Sequence, residues 1–156
     1  MLLTRIKKKK KGEWSEESAG GRISAGAWRK NPQYLLSTLD DSQLFICLST
    51  KEEQNLGFYI TRANDRKRKI YTLDDESIIK KAPFRKSSET YCTFKTEANQ
   101  SYHIIPCTFA PGVVCEFTLT IYAINNAAIT LIHIEPDKHQ TITVLSIIID
   151  YDEIMI

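Results

Sequence analysis

Alternation of apolar and polar residues with a period of two is the feature that most constrains the fold of this chain. A period of two places successive side chains on opposite faces of a strand, whereas a helix needs a period of about 3.6. Turn-forming residues such as Pro111 and Gly112 separate the runs, and only residues 74–81 suit a helical turn. The runs are 34–39, 43–49, 56–62, 91–95, 102–107, 116–123, 129–134 and 141–149. We therefore predict an all-β fold, an antiparallel β-sandwich of about eight strands.

Composition is that of a soluble globular protein with one core. The 156 residues are 42% hydrophobic and 26% charged, which is ordinary for a single domain. No apolar run approaches the roughly 18 residues that a membrane-spanning helix needs. At the N terminus the charge follows the apolar residues, the reverse of a secretory signal. We expect a cytoplasmic protein, with peripheral contact at membranes as an additional location.

The cysteines and histidines do not form a catalytic or metal-binding motif. The four cysteines are far apart, without a C-x-x-C pair, and the three histidines are not spaced with them as ligands. Buried free thiols are the prediction for Cys47, Cys92, Cys107 and Cys115. No Gly-rich phosphate loop or paired-carboxylate motif occurs either. We therefore predict that the chain contains no catalytic residue.

Positive charge is concentrated in two segments, although the net charge is only +2. Residues 1–11 contain the first segment, which we predict to be a basic, solvated N-terminal tail. It lacks interleaved aromatic residues, and nucleic acid is not expected as a partner. The second segment, residues 62–86, is predicted to bind an anionic lipid headgroup or an acidic partner, with a mobile solvated loop as the alternative. Its basic residues are Arg62, Arg66, Lys67, Arg68, Lys69, Lys80, Lys81, Arg85 and Lys86.

Acidic residues in predicted turns are weak candidates for a calcium site. Calcium takes several converging oxygen ligands, many of them carboxylates. The candidates are Asp40, Asp41, Asp74, Asp75 and Glu76. We expect no resident cofactor, with calcium kept as the alternative.

Four motifs occur in an order that resembles domain III of the calpain family. They are G-x-W, A-G-G, W and N-P-Q-Y within residues 12–34, G-F-x-I at 57–60, Y-x-I-I-P-C-T-F-x-P at 102–111, and the strand EFTLTIYA at 116–123. Residues 84–91 also resemble the non-classical, calpain-7-like members. The motif residues with an expected structural role are Gly12, Trp14, Gly20, Gly21, Trp28, Asn31, Pro32, Tyr34, Pro106 and Phe109.

The resemblance implies a domain III-like β-sandwich over residues 12–123. Residues 124–156 would be a C-terminal β extension or the last strand pair. Within the family this domain is a regulatory module without catalytic residues, so the resemblance implies docking on a calpain protease core, in cis or in trans, and binding of anionic phospholipid or calcium. A stand-alone protein–protein interaction scaffold that has lost the protease domain is the alternative, and the oligomeric state stays open.

One departure from the family concerns the strand that follows N-P-Q-Y. Conventional calpains carry a long acidic loop after this strand, whereas here only Asp40, Asp41 and Ser42 occupy that place. We therefore do not expect an acidic-loop switch. Two structural expectations accompany the resemblance: Trp14 and Trp28 seal the end of the sandwich, and Pro106 lies at an edge or a bulge.

Overall fold

Residues 5–64, 66–124 and 128–136 are described by the structure, a computed structural model. Short 3-10 turns at Ile23–Ala25, Trp28–Lys30 and Asp75–Ser77 accompany the strands. Within the described ranges the strands are β1 Arg5–Trp14, β2 Gln33–Thr38, β3 Ser42–Arg62, β4 Ile78–Thr96, β5 Gln100–Thr108, β6 Cys115–Ala123 and β7 Ile129–Ile134. The prediction of an all-β fold is confirmed.

The long strand β3 takes part in both layers of the sandwich. Its first half, residues 44–49, pairs with β6, and β6 pairs in turn with β1. Its second half, residues 56–62, pairs with β5, which continues through β2 to β7. Strand β4 follows β3 along most of its length. Every pairing is antiparallel, so one continuous set of strands makes two layers, with β1 at the edge of one and β7 at the edge of the other.

The hydrophobic core lies between these two layers. Leu44, Ile46 and Leu48 contribute from the first half of β3, and Leu56, Phe58 and Ile60 contribute from its second half; all six are fully buried. The inward residues of the other strands in this core include Tyr34, Leu36, Tyr102, Ile104, Phe117, Leu119, Ile121, Ile129 and Leu131. Their strict alternation with outward residues explains why the sequence pattern identified the layers.

Trp14 and Trp28 are both buried, but in different places. Trp14 is fully buried in the main core, where its ring centroid lies 4.4 Å from that of Phe117. Its Nε1–H donates to the carbonyl of Pro106 at 3.2 Å. Trp28 packs instead with Ile70 and Ile105 in a small cluster on the outer face of β5. Only Trp14 therefore belongs to the space between the layers.

The opening motif forms a set of close backbone contacts. Asn31 is fully buried; its Oδ1 accepts from the Gly20 N–H at 3.0 Å, and its Nδ2 donates to the Gly21 carbonyl at 2.7 Å. Gly21 has a φ of +74°, and a Cβ there would lie 2.6 Å from the Pro111 nitrogen. A side chain at this position would be both strained and blocked. The asparagine and the glycine pair thus act as one structural unit.

Pro106 occupies an edge-like position inside a central strand. It lies opposite Phe58 of β3, but the pairing of β5 with β2 ends at Ile104. On the side of β5 that faces β2, Pro106 has no paired residue within the described ranges. The absence of its N–H therefore removes no hydrogen bond between strands.

Two local features differ from the sequence-based expectation. Residues 5–11, expected within a tail, belong to β1, because a strand edge needs only backbone pairing and lysines are well tolerated there. The segment 50–55, expected as a turn, continues β3 across a register shift between Ser49 and Gln54. Residues 129–134, predicted as a strand within a C-terminal β extension or last strand pair, form β7 and pair with β2. The predicted strand 141–149 lies outside the described residues.

Candidate functional site

The nine basic residues of the predicted site do not share one surface. Lys80 lies opposite Ile60 and Lys81 opposite Tyr59, so these neighbours project from opposite faces of β4. Burial raises the pKa of Cys92 to about 11, and the charge of nearby Lys80 opposes that rise. Burial likewise raises the pKa of Cys107, opposed by Lys81. The two lysines therefore act on thiols on opposite faces of the layer.

Arg62 and residues 66–68 occupy the start of the loop that follows β3. The Arg62 guanidinium pairs with the Glu97 carboxylate at 2.9 Å, and both side chains are largely exposed. Residues 66–68 are exposed, and the Arg68 carbonyl accepts a hydrogen bond from Nε2 of the buried His103 at 2.9 Å. Burial lowers the pKa of His103, and the Arg68 hydrogen bond opposes that shift. The neutral imidazole therefore fixes the loop to β5.

Gln33 fixes the far end of the same loop. Its Nε2 donates to the Ile70 carbonyl and its Oε1 accepts from the Ile70 N–H, both at 2.8 Å. Gln33 is fully buried and Ile70 is nearly so. The side-chain amide thus takes the place of a strand partner for Ile70 and sets the position of the adjacent Lys69.

Lys81 belongs to a group of cations and aromatic rings on the outer face of the second layer, in which Lys81 and Phe109 are exposed and Tyr59 is buried. We call Arg22, Tyr59, Lys81, Phe84 and Phe109 the cation–aromatic surface. The Arg22 guanidinium lies 4.0 Å from the Phe109 ring centroid. Lys81 Nζ lies 5.7 Å from the Tyr59 ring and 5.6 Å from the Phe84 ring. Phe84 contacts Phe109 and Tyr59 edge-on, at 5.5 and 6.1 Å between centroids.

Backbone contacts hold the cation–aromatic surface in place. Arg22 Nη1 donates to the Phe109 carbonyl at 2.8 Å, and the Tyr59 hydroxyl accepts from the Ile23 N–H at 3.4 Å. Phe84 packs on Gly57, where a Cβ would lie 2.8 Å from the ring. Burial is the largest cause that raises the pKa of Tyr59 to about 12, so the phenol stays neutral. Phe109 remains 40% exposed.

Arg85 and Lys86 lie near the bend of β4, away from the cation–aromatic surface. The Arg85 guanidinium lies 5.7 Å from the Tyr91 ring. Tyr91 packs against Phe45 at 5.0 Å on the outer face of the first layer, beside a shallow recess of about 430 Å³. Lys86 is exposed and lies opposite Asn55.

Lys69 is buried in a third place, a recess between the edge strands β1 and β7. We call this recess of about 300 Å³ the seam cleft; Lys11, Ser18, Lys30, Tyr34, Lys69 and His133 are among its lining residues. Lys69 is only 7% exposed, and burial lowers the pKa of its ammonium. The floor residue Tyr34 is also buried, which raises its pKa to about 12.

The acidic residues proposed as calcium ligands lie in turns. Asp40 and Asp41 connect β2 to β3, and Asp41 Oδ1 accepts from the Ala98 N–H at 2.7 Å. Asp74 precedes the 3-10 turn that contains Asp75 and Glu76. Across the described ranges, no three His, Cys, Asp or Glu side chains come together as a metal site. Calcium binding stays a prediction.

The thiols have the properties of packing residues. Cys47, Cys92 and Cys107 are buried and Cys115 is half-buried, all in the reduced form. A nucleophilic cysteine needs a lowered pKa, whereas burial raises the pKa of Cys47 to about 11 and that of Cys115 above its ordinary value. In the part of the chain that is described, no helix has the length and apolar character needed to cross a membrane.

These features define a β-sandwich domain whose polar groups serve packing and surface contact. Residues 10–122 match the family described as calpain large subunit, domain III. The chain belongs to this family, whose members form a non-catalytic domain of calpains, and the resemblance in the sequence is confirmed.

Two curated relatives from Dictyostelium discoideum are similar to the chain. Serine/threonine-protein kinase 4 homolog B is 37% identical over 123 residues, which cover 74% of this chain and 11% of that protein. Putative calpain-like cysteine protease A is 29% identical over 113 residues, which cover 71% of this chain and 17% of that protein. The chain therefore spans less than a fifth of the length of either relative.

Among solved structures, the pre-peptidase C-terminal domain of collagenase from Bacillus anthracis superposes with a TM-score of 0.49. It is 7% identical, and the superposition covers 74% of this chain and 89% of that one.

The cation–aromatic surface was largely missed by sequence reasoning, which had selected only Lys81 for binding and Phe109 as a motif residue. Residues 78–90 of β4 were not predicted as strand, and the helical turn predicted for 74–81 is limited to the 3-10 turn Asp75–Ser77. The contacts of Phe84 with Gly57 and of Lys81 with Tyr59 could therefore not be predicted. The alternation of Gly57 and Tyr59 within a predicted strand was the signal that could have indicated an outward aromatic position.

Proposed function

We propose that this chain is a non-catalytic docking module that binds an acidic protein surface through its cation–aromatic surface. The partner is the protease core of a calpain-like cysteine protease, in cis or in trans. The observation that carries the proposal is the placement of two cations on adjoining rings: Arg22 lies over the exposed ring of Phe109, and Lys81 lies near the ring of Phe84, which contacts Phe109.

The chemistry of this surface suits a protein interface. Arginine and aromatic residues are enriched where proteins bind one another, and few such residues dominate the binding energy. Arg22 is held by the Phe109 carbonyl and lies on its ring, so little side-chain freedom is lost when a carboxylate approaches. Each cation–ring contact contributes about 0.5–1 kcal/mol at an exposed site, which leaves the charges available to a partner.

The names of the relatives support a binding role. One is named as a protein kinase homolog and the other as a calpain-like cysteine protease. A segment shared by proteins with two different catalytic names is better explained as a part that makes contacts than as a part that performs one reaction. The protease core is preferred as the partner because domain III belongs to calpains.

Anionic phospholipid is the second surface proposed for the same residues. Cations with long apolar stems beside an exposed aromatic ring suit the boundary between headgroups and acyl chains. Each cation near an anionic bilayer contributes about 1 kcal/mol. Calcium would strengthen this contact if lipid phosphates complete its coordination, because the carboxylates of the described residues do not come together as a site.

Two binding assays test these proposals. The chain is mixed with the protease domain of a calpain-like cysteine protease, and separately with vesicles of phosphatidylserine or of neutral lipid at low salt. Lys81→Gln and Phe109→Ala should each weaken binding by roughly fivefold. Lys95→Gln, at an exposed position in the other half of β4, is the matched control and should bind as the unmodified chain does.

Two results would reject the parts of this proposal separately. Equal sedimentation with phosphatidylserine and neutral vesicles would remove the lipid contact. Binding to the protease domain that is unaffected by Lys81→Gln and Phe109→Ala would remove the assigned surface. A stand-alone scaffold is the alternative function, and it would be supported if the gene encodes no Cys–His–Asn protease domain.

A further inference from the structure

Lys69 in the seam cleft is a buried cation without an anionic partner among the described residues; its Nζ lies 6.0 Å from the centroid of the Tyr71 ring. It is 7% exposed, and its ammonium makes no hydrogen bond or ion pair with any residue that the structure describes. Removing an ammonium from water is costly unless an anion or several acceptors replace the lost hydration. The contact with the Tyr71 ring replaces little of that hydration, so the charge of Lys69 is left largely uncompensated in the free protein.

Two further lysines surround the same recess. Lys11 of β1 and Lys30 of the second 3-10 turn line the seam cleft together with Lys69, although they are far apart in the sequence. Glu13 also lines the cleft; it is exposed and forms no ion pair with these lysines in the described ranges. Three lysines against one glutamate leave the lining of the cleft positively charged.

The walls of the seam cleft add hydroxyl groups. Ser18 lines the cleft, as does Tyr34, whose hydroxyl lies beside Gly12. A Cβ on Gly12 would lie 2.4 Å from the Tyr34 hydroxyl and 2.5 Å from the Phe117 ring, so glycine allows β1 to approach this closely. The Ser18 hydroxyl already contacts Ser15 and donates to the Glu13 carbonyl. The Tyr34 hydroxyl is thus the neutral donor that accompanies the ammonium groups, a combination that suits a group with several acceptor oxygens.

The position of Lys69 is fixed from behind. Its neighbour Ile70 is held at both backbone groups by Gln33, which is fully buried. The lysine is thus placed by the framework of the protein and does not depend on a mobile loop. A fixed cation loses less entropy when it binds a ligand than an exposed lysine does.

From this arrangement we propose that the seam cleft binds a soluble phosphate monoester. A doubly charged phosphate group with three acceptor oxygens matches three ammonium groups better than a carboxylate with one charge and two oxygens. A recess of about 300 Å³ has room for the phosphate and a small attached group. The site is separate from the cation–aromatic surface, and it does not depend on the proposed docking function.

The decisive variant is Lys69→Met, which keeps the apolar stem and removes the charge. Lys67→Met is the matched control, because Lys67 is an exposed lysine in the same loop. Binding of inorganic phosphate and of glycerol phosphate is measured by calorimetry at constant ionic strength. Lys69→Met should lower the affinity at least about tenfold, as expected for a charge-assisted contact, and Lys67→Met should change it less than twofold.

Thermal unfolding separates a binding role from a structural one. Phosphate should raise the melting temperature of the unmodified chain and of Lys67→Met, since a ligand that binds only the folded state stabilises it. It should not raise that of Lys69→Met. Without phosphate, Lys69→Met should melt no lower than the unmodified chain, because the buried charge is lost.

Three outcomes would overturn the proposal. The first is equal phosphate affinity of Lys69→Met and Lys67→Met. The second is a thermal shift that chloride reproduces at the same ionic strength. The third is binding only to vesicles that contain phosphatidic acid, with no response to either soluble compound. The lipid and protease assays of the docking proposal use Lys81 and Phe109, so their failure would be a separate result.

Discussion

The cation–aromatic surface and the seam cleft use positive charge in opposite ways. On the surface, the half-buried Arg22 lies over the exposed Phe109 ring, and the exposed Lys81 lies near the half-buried Phe84 ring, so solvent reaches both cations. In the cleft, Lys69 is buried and lies near lysines from two distant segments. Lys69 and Lys81 were predicted as parts of one site because they are close in the sequence. Their separation shows that charge density along a strand-rich chain does not define a site, since neighbouring residues alternate between faces.

Gln33→Ala should give the largest loss of stability, and it should weaken binding at the seam cleft without affecting the cation–aromatic surface. It leaves the buried N–H and carbonyl of Ile70 without partners, which costs about 2–4 kcal/mol of the free energy of unfolding. It should also weaken phosphate binding, because Lys69 loses its support. Urea denaturation measures the first effect and calorimetry the second.

The matched control for Gln33→Ala is Gln43→Ala, at a half-buried position on β3. We expect it to change stability by less than about 0.5 kcal/mol. Equal costs for the two glutamines would show that the contact with Ile70 does not hold the loop.

The next largest expected effect is a loss of stability at alkaline pH that depends on Tyr34. Burial raises its pKa from 10.0 to about 12 in the folded chain. The folded state therefore keeps a proton that the unfolded state loses, and the resulting stability is full below pH 10 and lost as the pH rises toward 12. Relative to Tyr34→Phe, the unmodified chain should lose about 2–3 kcal/mol across this window.

Chemical denaturation at several pH values between 9 and about 12 checks the Tyr34 prediction. Parallel stability curves for the unmodified chain and Tyr34→Phe would show that this phenol titrates as it does in water. The floor of the seam cleft would then be more hydrated than its burial indicates.

Ionic strength should separate the two regions by their exposure. At 0.15 M salt, charges are screened over about 8 Å in solvent, and buried charges are screened much less. Raising the salt from about 0.05 to 0.5 M should weaken docking at the cation–aromatic surface by about tenfold and phosphate binding by less than about threefold. Binding measured in a series of sodium chloride solutions provides the comparison, and equal slopes would remove the distinction.

Arg62→Gln should have the smallest effect. Its ion pair with Glu97 is largely exposed on both sides, and such pairs contribute about 0–1 kcal/mol. We expect a change of less than about 0.5 kcal/mol in the free energy of unfolding and no change in phosphate affinity. A loss of 2 kcal/mol or more, on the order of what a buried pair gives, would show that the loop after β3 is more tightly coupled to β5.

The core and the layers were predictable because alternation carries them directly. Residues such as Phe117, Leu119 and Ile121 are buried at every second position, as the sequence indicates. The motif Asn31 with Gly20 and Gly21 was recognisable from the family resemblance, and its contacts explain why these residue types occur together.

The edge strand β1 and both candidate sites were less accessible to sequence reasoning. A run of lysines gives no alternation, yet its backbone pairs with β6. The seam cleft joins residues 11, 30 and 69, which no local pattern connects. The cation–aromatic surface depends on the register between β3 and β4, and that register shifts at three places. Local composition cannot specify such long-range contacts.

The most direct test of two separate basic regions is a titration of the isotope-labelled chain with inorganic phosphate, followed by amide NMR shifts. We predict saturable shifts at Gly12, Tyr34, Lys69 and Ile70, with Lys81, Phe84 and Phe109 unchanged. Weak, non-saturating shifts spread over residues 66–68 and Lys81, with none around Lys69, would contradict the account. Phosphate would then associate only with exposed positive charge and would not bind in the seam cleft.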